Sequence, residues 1–162
     1  MDQKINSDFL NDLKLPKVCQ IGIIINDAEA SLRHYKSLFN IKSWYSSYTT
    51  EEEIFYKGAP IDIDFDVYLG YSAGLQLELI KVNSGDPNIY DEMVLNHKDG
   101  IHHLGFFVSD YDKKLQVFLD SGFDVLQHGP LKTRGGTVTR FAYVDTIDYC
   151  GTIIETIEAR LH

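Results

Sequence analysis

Apolar and polar residues run through the same succession twice along this chain. Residues 18–25 form a short apolar run rich in β-branched side chains that ends at Asn26-Asp27, a pattern that predicts a strand. An amphipathic helix is predicted next, with Asn26 as N-cap, Glu29 three residues on, and Leu32, Tyr35, Leu38 and Phe39 on one face. A second such helix starts at Ser109 with Asp112, carries Leu115, Phe118 and Leu119, and stops at Gly122. Residues 61–69 alternate strictly, so Asp62, Asp64, Asp66 and Tyr68 share one strand face and the other is apolar. A tight turn leads into a strand over 75–82, and the second half repeats the arrangement with strands near 123–126, 137–144 and 152–157. Each half is therefore a module of one strand, one helix and three strands.

The repeat extends to individual residues. Gln20-Ile-Gly-Ile-Ile-Ile-Asn-Asp27 recurs as His103-Leu-Gly-Phe-Phe-Val-Ser-Asp110, and Gly74-Leu-Gln-Leu-Glu78-Leu-Ile80 as Gly151-Thr-Ile-Ile-Glu155-Thr-Ile157. Residues 1–16 then form an N-terminal extension, 17–82 a first module, 83–99 a polar connector with a short helix near Tyr90, and 100–159 a second module. Ile21, Ile23 and Ile25 must cover the helix, so strand parity turns Gln20 to the other face, and the same parity gathers Glu78, His103 and Glu155 there. All four side chains offer oxygen or nitrogen ligands, and two carboxylates buried on a concave sheet are costly without a cation or proton. Parity sends His102 to the opposite face.

Composition narrows the partners. With 24 acidic and 15 basic residues the net charge is -9, which repels nucleic acid and anionic membrane surfaces but suits a metal or a cationic ligand. Cys19 and Cys150 show no CxxC spacing, so neither a disulfide framework nor a thiolate metal site is expected. The first fifteen residues lack a signal-peptide pattern, and no apolar run approaches the roughly 18 residues of a membrane span, so a cytoplasmic protein is expected.

The strands Gln20-Ile-Gly-Ile, Leu77-Glu-Leu-Ile80, Gly100-Ile-His-His-Leu-Gly105 and Gly151-Thr-Ile-Ile-Glu155, in this order and duplicated, resemble those of the vicinal-oxygen-chelate superfamily. That group includes glyoxalase I, methylmalonyl-CoA epimerase, extradiol dioxygenases and bleomycin-resistance proteins. The resemblance spans roughly residues 17–159 and implies an α+β fold of paired βαβββ modules, a curled mixed sheet around a metal-centred cavity. It also implies Gln20, Glu78, His103 and Glu155 as the ligand set, similar to that of the animal type of glyoxalase I. The segment Pro130-Leu-Lys-Thr-Arg-Gly-Gly136 looks closer to the epimerase branch, whose first ligand is usually His where Gln20 stands here. The positions that bind glutathione in glyoxalase I hold Ile24, Val82 and Asp99, while Lys98, Lys132 and Arg134 offer positive charge from other directions. Relatives often pair, and two modules alone expose long strand edges, so a homodimer is expected.

Three oxygen ligands and one imidazole suit a divalent ion such as Zn, Ni, Co or Mn with positions open to substrate. The implied reaction moves a proton α to a carbonyl of a small substrate, a thioester or thiol conjugate among the candidates, with the metal stabilising the enolate oxygen. Glu155, which resembles the proton-moving glutamate of glyoxalase I, is the expected base, with Glu78 as its counterpart. Asp66 and Tyr68 are expected to face the cup as substrate-binding groups. Trp44, Tyr45 and Tyr48 are expected to pack the core or wall the cavity. Epimerisation and glyoxalase-type isomerisation both remain open. So does a non-catalytic, drug-binding role of the bleomycin-resistance type, which the acidic charge suits, and so does an inactive scaffold.

Overall fold

A computed structural model describes residues 7–49, 53–133 and 138–159. The elements follow in the order α1 (Ser7–Leu13), β1 (Gln20–Ile24), α2 (Ala28–Leu38), β2 (Tyr45–Thr49), β3 (Ile54–Tyr56), β4 (Ala59–Ile61), β5 (Ile63–Ser72) and β6 (Leu75–Gly85). They continue with α3 (Asp91–Leu95), β7 (Gly100–Phe107), α4 (Tyr111–Asp120), β8 (Val125–Thr133), β9 (Val138–Val144), α5 (Ile147–Cys150) and β10 (Ile153–Ala159). The two modules are β1-α2-β2-β5-β6 and β7-α4-β8-β9-β10, and the β3–β4 hairpin is an insertion in the first. The alternating segment is broken at Asp62, which lies between β4 and β5 rather than within one strand.

One mixed sheet holds all ten strands in the order β2-β5-β6-β1-β7-β10-β9-β8-β3-β4. β1 and β7 run antiparallel at its centre, and each pairs in parallel with the last strand of its own module, β6 or β10. β2 also pairs with β8, from Ser47 opposite Thr133 to Thr49 opposite Leu131, so the curled sheet meets itself. This pairing satisfies edges on which the homodimer expectation relied.

Helices cover the convex side. α2 packs Ala28, Leu32 and Tyr35 against Ile23, Ile25, Leu77 and Leu79, as strand parity requires. Asp27, not Asn26, caps α2: its Oδ1 accepts from Ala30 N at 2.9 Å. Asn26 is drawn away by Asp99, whose Oδ1 accepts from both its backbone and side-chain nitrogens. Leu38 and Phe39 stay exposed, Phe39 stacking on Tyr35, so the predicted apolar face is longer than the buried one. α4 begins at Tyr111 behind Asp110, one residue later than Ser109 would place it. It buries Phe118 in a cluster with Phe123, Val144 and, from the N-terminal extension, Phe9 and Leu13 of α1.

The concave side is filled. Ile24, Phe65, Val67, Ile80, Phe141, Tyr143 and Ile153 from five strands form its core, together with Tyr90 from the connector.

Candidate metal centre

Four adjacent central strands, β6, β1, β7 and β10, carry the site. Register sets it: Gly22 is the Cα partner of Glu78 on one side and His103 on the other, and Gly105 is flanked likewise by Gln20 and Glu155. Residues paired across neighbouring strands project to the same face. Gln20, Glu78, His103 and Glu155 therefore converge on the concave side, as the repeat predicts, and are 4, 3, 0 and 2 % exposed.

The glycines of the repeat explain how the groups approach so closely. A Cβ on Gly22 would overlap the His103 imidazole, and one on Gly105 would overlap Gln20 Oε1. Each module thus supplies a bare backbone position over which the other module's ligand lies.

His103 Nε2 lies 3.2 Å from Glu78 Oε2 and 3.1 Å from Glu155 Oε2. These are contact distances without hydrogen-bond angles, since all three atoms, and Gln20 Oε1 with them, are buried and lack a hydrogen-bond partner. One candidate ligand atom from each of Glu78, His103 and Glu155 lies within 4.8 Å of the others. Orphaned buried acceptors cost free energy in a native protein. Three of them in one cluster, two being carboxylate oxygens, with Gln20 Oε1 on the same face, fit a divalent cation by donor chemistry.

The Gln20 amide is oriented by a chain of hydrogen bonds. Its Nε2 donates to Gln76 Oε1 at 2.8 Å, and Gln76 Nε2 donates to the Tyr71 hydroxyl at 2.6 Å. With its nitrogen so engaged, Gln20 leaves its oxygen over Gly105, the Cα partner of Glu155.

Electrostatics within the cluster are strongly coupled. Burial pulls the His103 pKa down, but Glu155 and then Glu78 outweigh it and hold the imidazole at about 9. Burial raises the Glu155 carboxyl to about 7 against the opposing pull of His103. Tyr143, 4.8 Å from the His103 ring centre to centre and opposite Glu155 in register, walls the site, and burial lifts its phenol well above the usual range.

Two expectations about neighbouring residues are overturned. His102 does not point away. The β1–β7 register shifts between Gly22 and Ile23, opposite His103 and Ile101, and His102 is the extra residue of the bulge. Its Nδ1 lies 3.0 Å from His103 Nδ1, and its ring packs against Tyr90 and Tyr143. Burial, followed by the charge of His103, lowers its pKa to about 3. Asp66 and Tyr68 do not face the cup. Register pairs Tyr68 with Leu79 and Asp66 with Lys81 on the helix side, while Leu69 and Val67 pair with Glu78 and Ile80 inside. The break at Asp62 starts a new strand, but the deciding factor is pairing with β6, which buries the apolar alternate set.

Other sequence candidates settle outside the site. Trp44 packs on the convex side and donates to Leu32 O at 3.2 Å, and Tyr45 is exposed. Lys98 is exposed, and Arg134 and the Tyr48 side chain lie outside the described residues. Strand parity already puts Gln76 on the face of Glu78, but sequence alone assigns it no role and does not single out Tyr143 or Tyr90; Tyr90 is a connector residue whose place depends on tertiary packing.

Comparison with known proteins agrees with this arrangement. Residues 19–143 match the family described as the Glyoxalase/Bleomycin resistance protein/Dioxygenase superfamily. The chain belongs to this superfamily. No curated protein matches the chain. Among solved structures, methylmalonyl-CoA epimerase from Mycobacterium tuberculosis aligns with a TM-score of 0.63 and 15% identity, over 91% of this chain and 90% of that one. A methylmalonyl-CoA epimerase variant from Streptomyces coelicolor, in complex with 2-nitronate-propionyl-CoA, aligns with a TM-score of 0.60 and 19% identity, over 91% and 100%. A variant of 4-hydroxymandelate synthase from the same organism gives 0.60 and 15%, over 91% of this chain and 50% of that one. At these identities the likeness is one of fold. Among the described residues no helix is long and apolar enough to cross a membrane.

Proposed function

We propose that the chain is a metal-dependent isomerase of the glyoxalase and epimerase type, which moves a proton α to a carbonyl of a small substrate. The carrying observation is the convergence of Glu78, His103 and Glu155 within 4.8 Å of one another, with Gln20 Oε1 over Gly105 on the same face, all buried and all without hydrogen-bond partners. These four atoms would hold the ion. A divalent ion held there supplies Lewis acidity, which makes the proton α to a coordinated carbonyl more acidic.

The chain's own groups do the rest. Glu155 is the base. Its buried carboxylate lies 3.1 Å from His103 Nε2, in the centre of the cluster where a coordinated substrate would sit. Glu78, across the cluster, is placed to return the proton to the substrate. The cluster's near-complete burial excludes water, which strengthens every charge interaction in it. A metal-free drug-binding role would leave one imidazole as the only group offsetting the burial of two carboxylates, and the Gln20 oxygen without a partner.

The test combines two measurements. Protein purified without an affinity tag should contain one divalent ion per chain, lost in Glu78→Ala and His103→Ala. Metal-loaded wild type should exchange α-protons with deuterated solvent on a methylglyoxal hemithioacetal or a 2-methyl-branched acyl thioester. Absence of metal, or metal uptake unaffected by both substitutions, overturns the site. A loaded protein that exchanges no proton on either substrate class overturns the reaction.

A further inference from the structure

Two tyrosine hydroxyls meet inside the cup. Tyr143 of β9 and Tyr90 of the connector are each 1 % exposed, and their hydroxyl oxygens are 2.9 Å apart. Tyr143 is the Cα partner of Glu155 across the β9–β10 pair, so ring and carboxylate project side by side on the concave face. Its ring centre is 4.8 Å from that of His103.

The connector holds its tyrosine firmly. Ile89, Met93 and Val94 pack on the core cluster that contains Tyr90. Asn88 is buried and its Oδ1 accepts from Tyr90 N at 2.9 Å, while Ile89 N donates to Gln127 Oε1 at 3.1 Å. The Tyr90 hydroxyl is therefore a fixed neighbour of the Tyr143 hydroxyl.

The hydrogens give the pair a direction. Two hydroxyls carry two hydrogens, and only one lies in the bond between them. The other needs an acceptor, because a buried donor left without one costs free energy. Glu155 supplies it. Its Oε2 lies against His103, which leaves Oε1 for the neighbour in register. Burial raises the Glu155 carboxyl, and a hydrogen bond with Tyr143 is among the causes that oppose the rise. An ionised carboxylate only accepts, so Tyr143 donates to Glu155 and Tyr90 donates to Tyr143.

We propose that Tyr143 is a positioning residue whose hydroxyl, itself fixed by Tyr90, holds Glu155 Oε1 and so keeps Oε2 turned to the centre of the cluster. The terminal torsion of a glutamate is soft, and a carboxylate without such a donor presents either oxygen. Fixing one oxygen leaves the other in a single place, which is what proton transfer at a defined atom requires. The part that Glu155 plays rests on the proposed reaction, whereas the hydroxyl chain stands without it.

Tyr143→Phe and Tyr90→Phe each remove one hydroxyl and keep the ring. Proton NMR of chelator-treated full-length protein at about pH 8 should show a slowly exchanging hydroxyl line that is lost in Tyr143→Phe, downfield of the line lost in Tyr90→Phe, because hydrogen bonds to a carboxylate are the shorter and stronger kind. Glu155→Gln should move the Tyr143 line upfield, and by more than Tyr90→Phe does. Absence of a protected Tyr143 line, or a line that responds more to Tyr90→Phe than to Glu155→Gln, overturns the inference. Nuclear Overhauser contacts with the His103 ring identify the line if Tyr143→Phe does not fold. In zinc-loaded protein, Tyr143→Phe should keep one zinc per chain and an unchanged KM but lose roughly tenfold to a hundredfold in kcat for deuterium exchange, the usual effect of removing a group that orients a ligand. Wild-type kcat in this variant overturns the positioning role. A Tyr143–Glu155 bond in a chain that takes up no zinc would leave this inference standing and remove the metal-site reading. Zinc-loaded, active protein without that bond would do the reverse.

Discussion

His103 lies directly over Gly22. The two are Cα partners across the antiparallel centre of the sheet, and a methyl group on Gly22 would occupy the space of the imidazole. Gly105 stands in the same relation to Gln20, so the duplicated glycine is a requirement of the site rather than of the turn or the strand.

Gly22→Ala should therefore damage both site and fold. Overpacking of this kind costs about 1–3 kcal/mol, and here it falls on His103, a proposed metal ligand. Urea denaturation should show a lower midpoint, and metal analysis should show a larger loss than in Gly74→Ala, whose position has open space around it. Normal metal content in Gly22→Ala would contradict this placement of His103.

His102→Ala should weaken metal binding by roughly tenfold to a hundredfold, the usual effect of removing a group that orients a ligand histidine. The reason is the 3.0 Å contact between the two Nδ1 atoms. A His103 that bound the ion through Nε2, as proposed, would carry its hydrogen on Nδ1 and donate to His102. Competition with a coloured chelator gives the affinity. An unchanged value would mean that the pair is merely packed together.

Glu155→Gln should lower turnover by roughly a hundredfold to ten-thousandfold, as expected for loss of a general base. Metal affinity should fall much less, because the amide keeps an oxygen ligand. Single-turnover deuterium exchange on metal-saturated protein separates the two effects. Wild-type exchange in this variant would pass the role to Glu78.

Chelator-treated protein should lose stability as pH rises from 7 to 9. His103 is held at about 9 in the fold against an ordinary 6.5, so its contribution is complete below 6.5 and lost as pH rises through 9. Glu155, raised to about 7 from 4.5, has the same sign over a lower window. His102, lowered to about 3, acts oppositely, with stability present above 6.5 and lost as pH falls towards 3. Between pH 4.5 and 6.5 the Glu155 and His102 contributions nearly cancel. Above pH 7 His103 dominates, with a limiting slope of about 1.4 kcal/mol per pH unit. Saturating zinc should abolish or reverse that decline, since metal binding competes with protons. Thermal melts at fixed ionic strength over this range are the measurement.

The sequence by itself determined the duplicated modules, the parity of β1, β6, β7 and β10, and the convergence of Gln20, Glu78, His103 and Glu155. These follow from local rules: side chains alternate along a strand, and a repeated pattern folds into a repeated unit. Tertiary structure alone decided the rest. Asp66 and Tyr68 alternate as expected, but only pairing with β6 chooses which alternate set faces inward. His102 shares the side of His103 because a bulge, a mismatch between two strands far apart in sequence, breaks the alternation. Tyr90 belongs to no periodic pattern, and only the assembled sheet gives it a place, in the core with Ile24, Phe65, Val67 and Ile80. Pairing between strands distant in sequence is set by the total burial that the fold achieves, and that is a property of the assembled sheet rather than of any one segment.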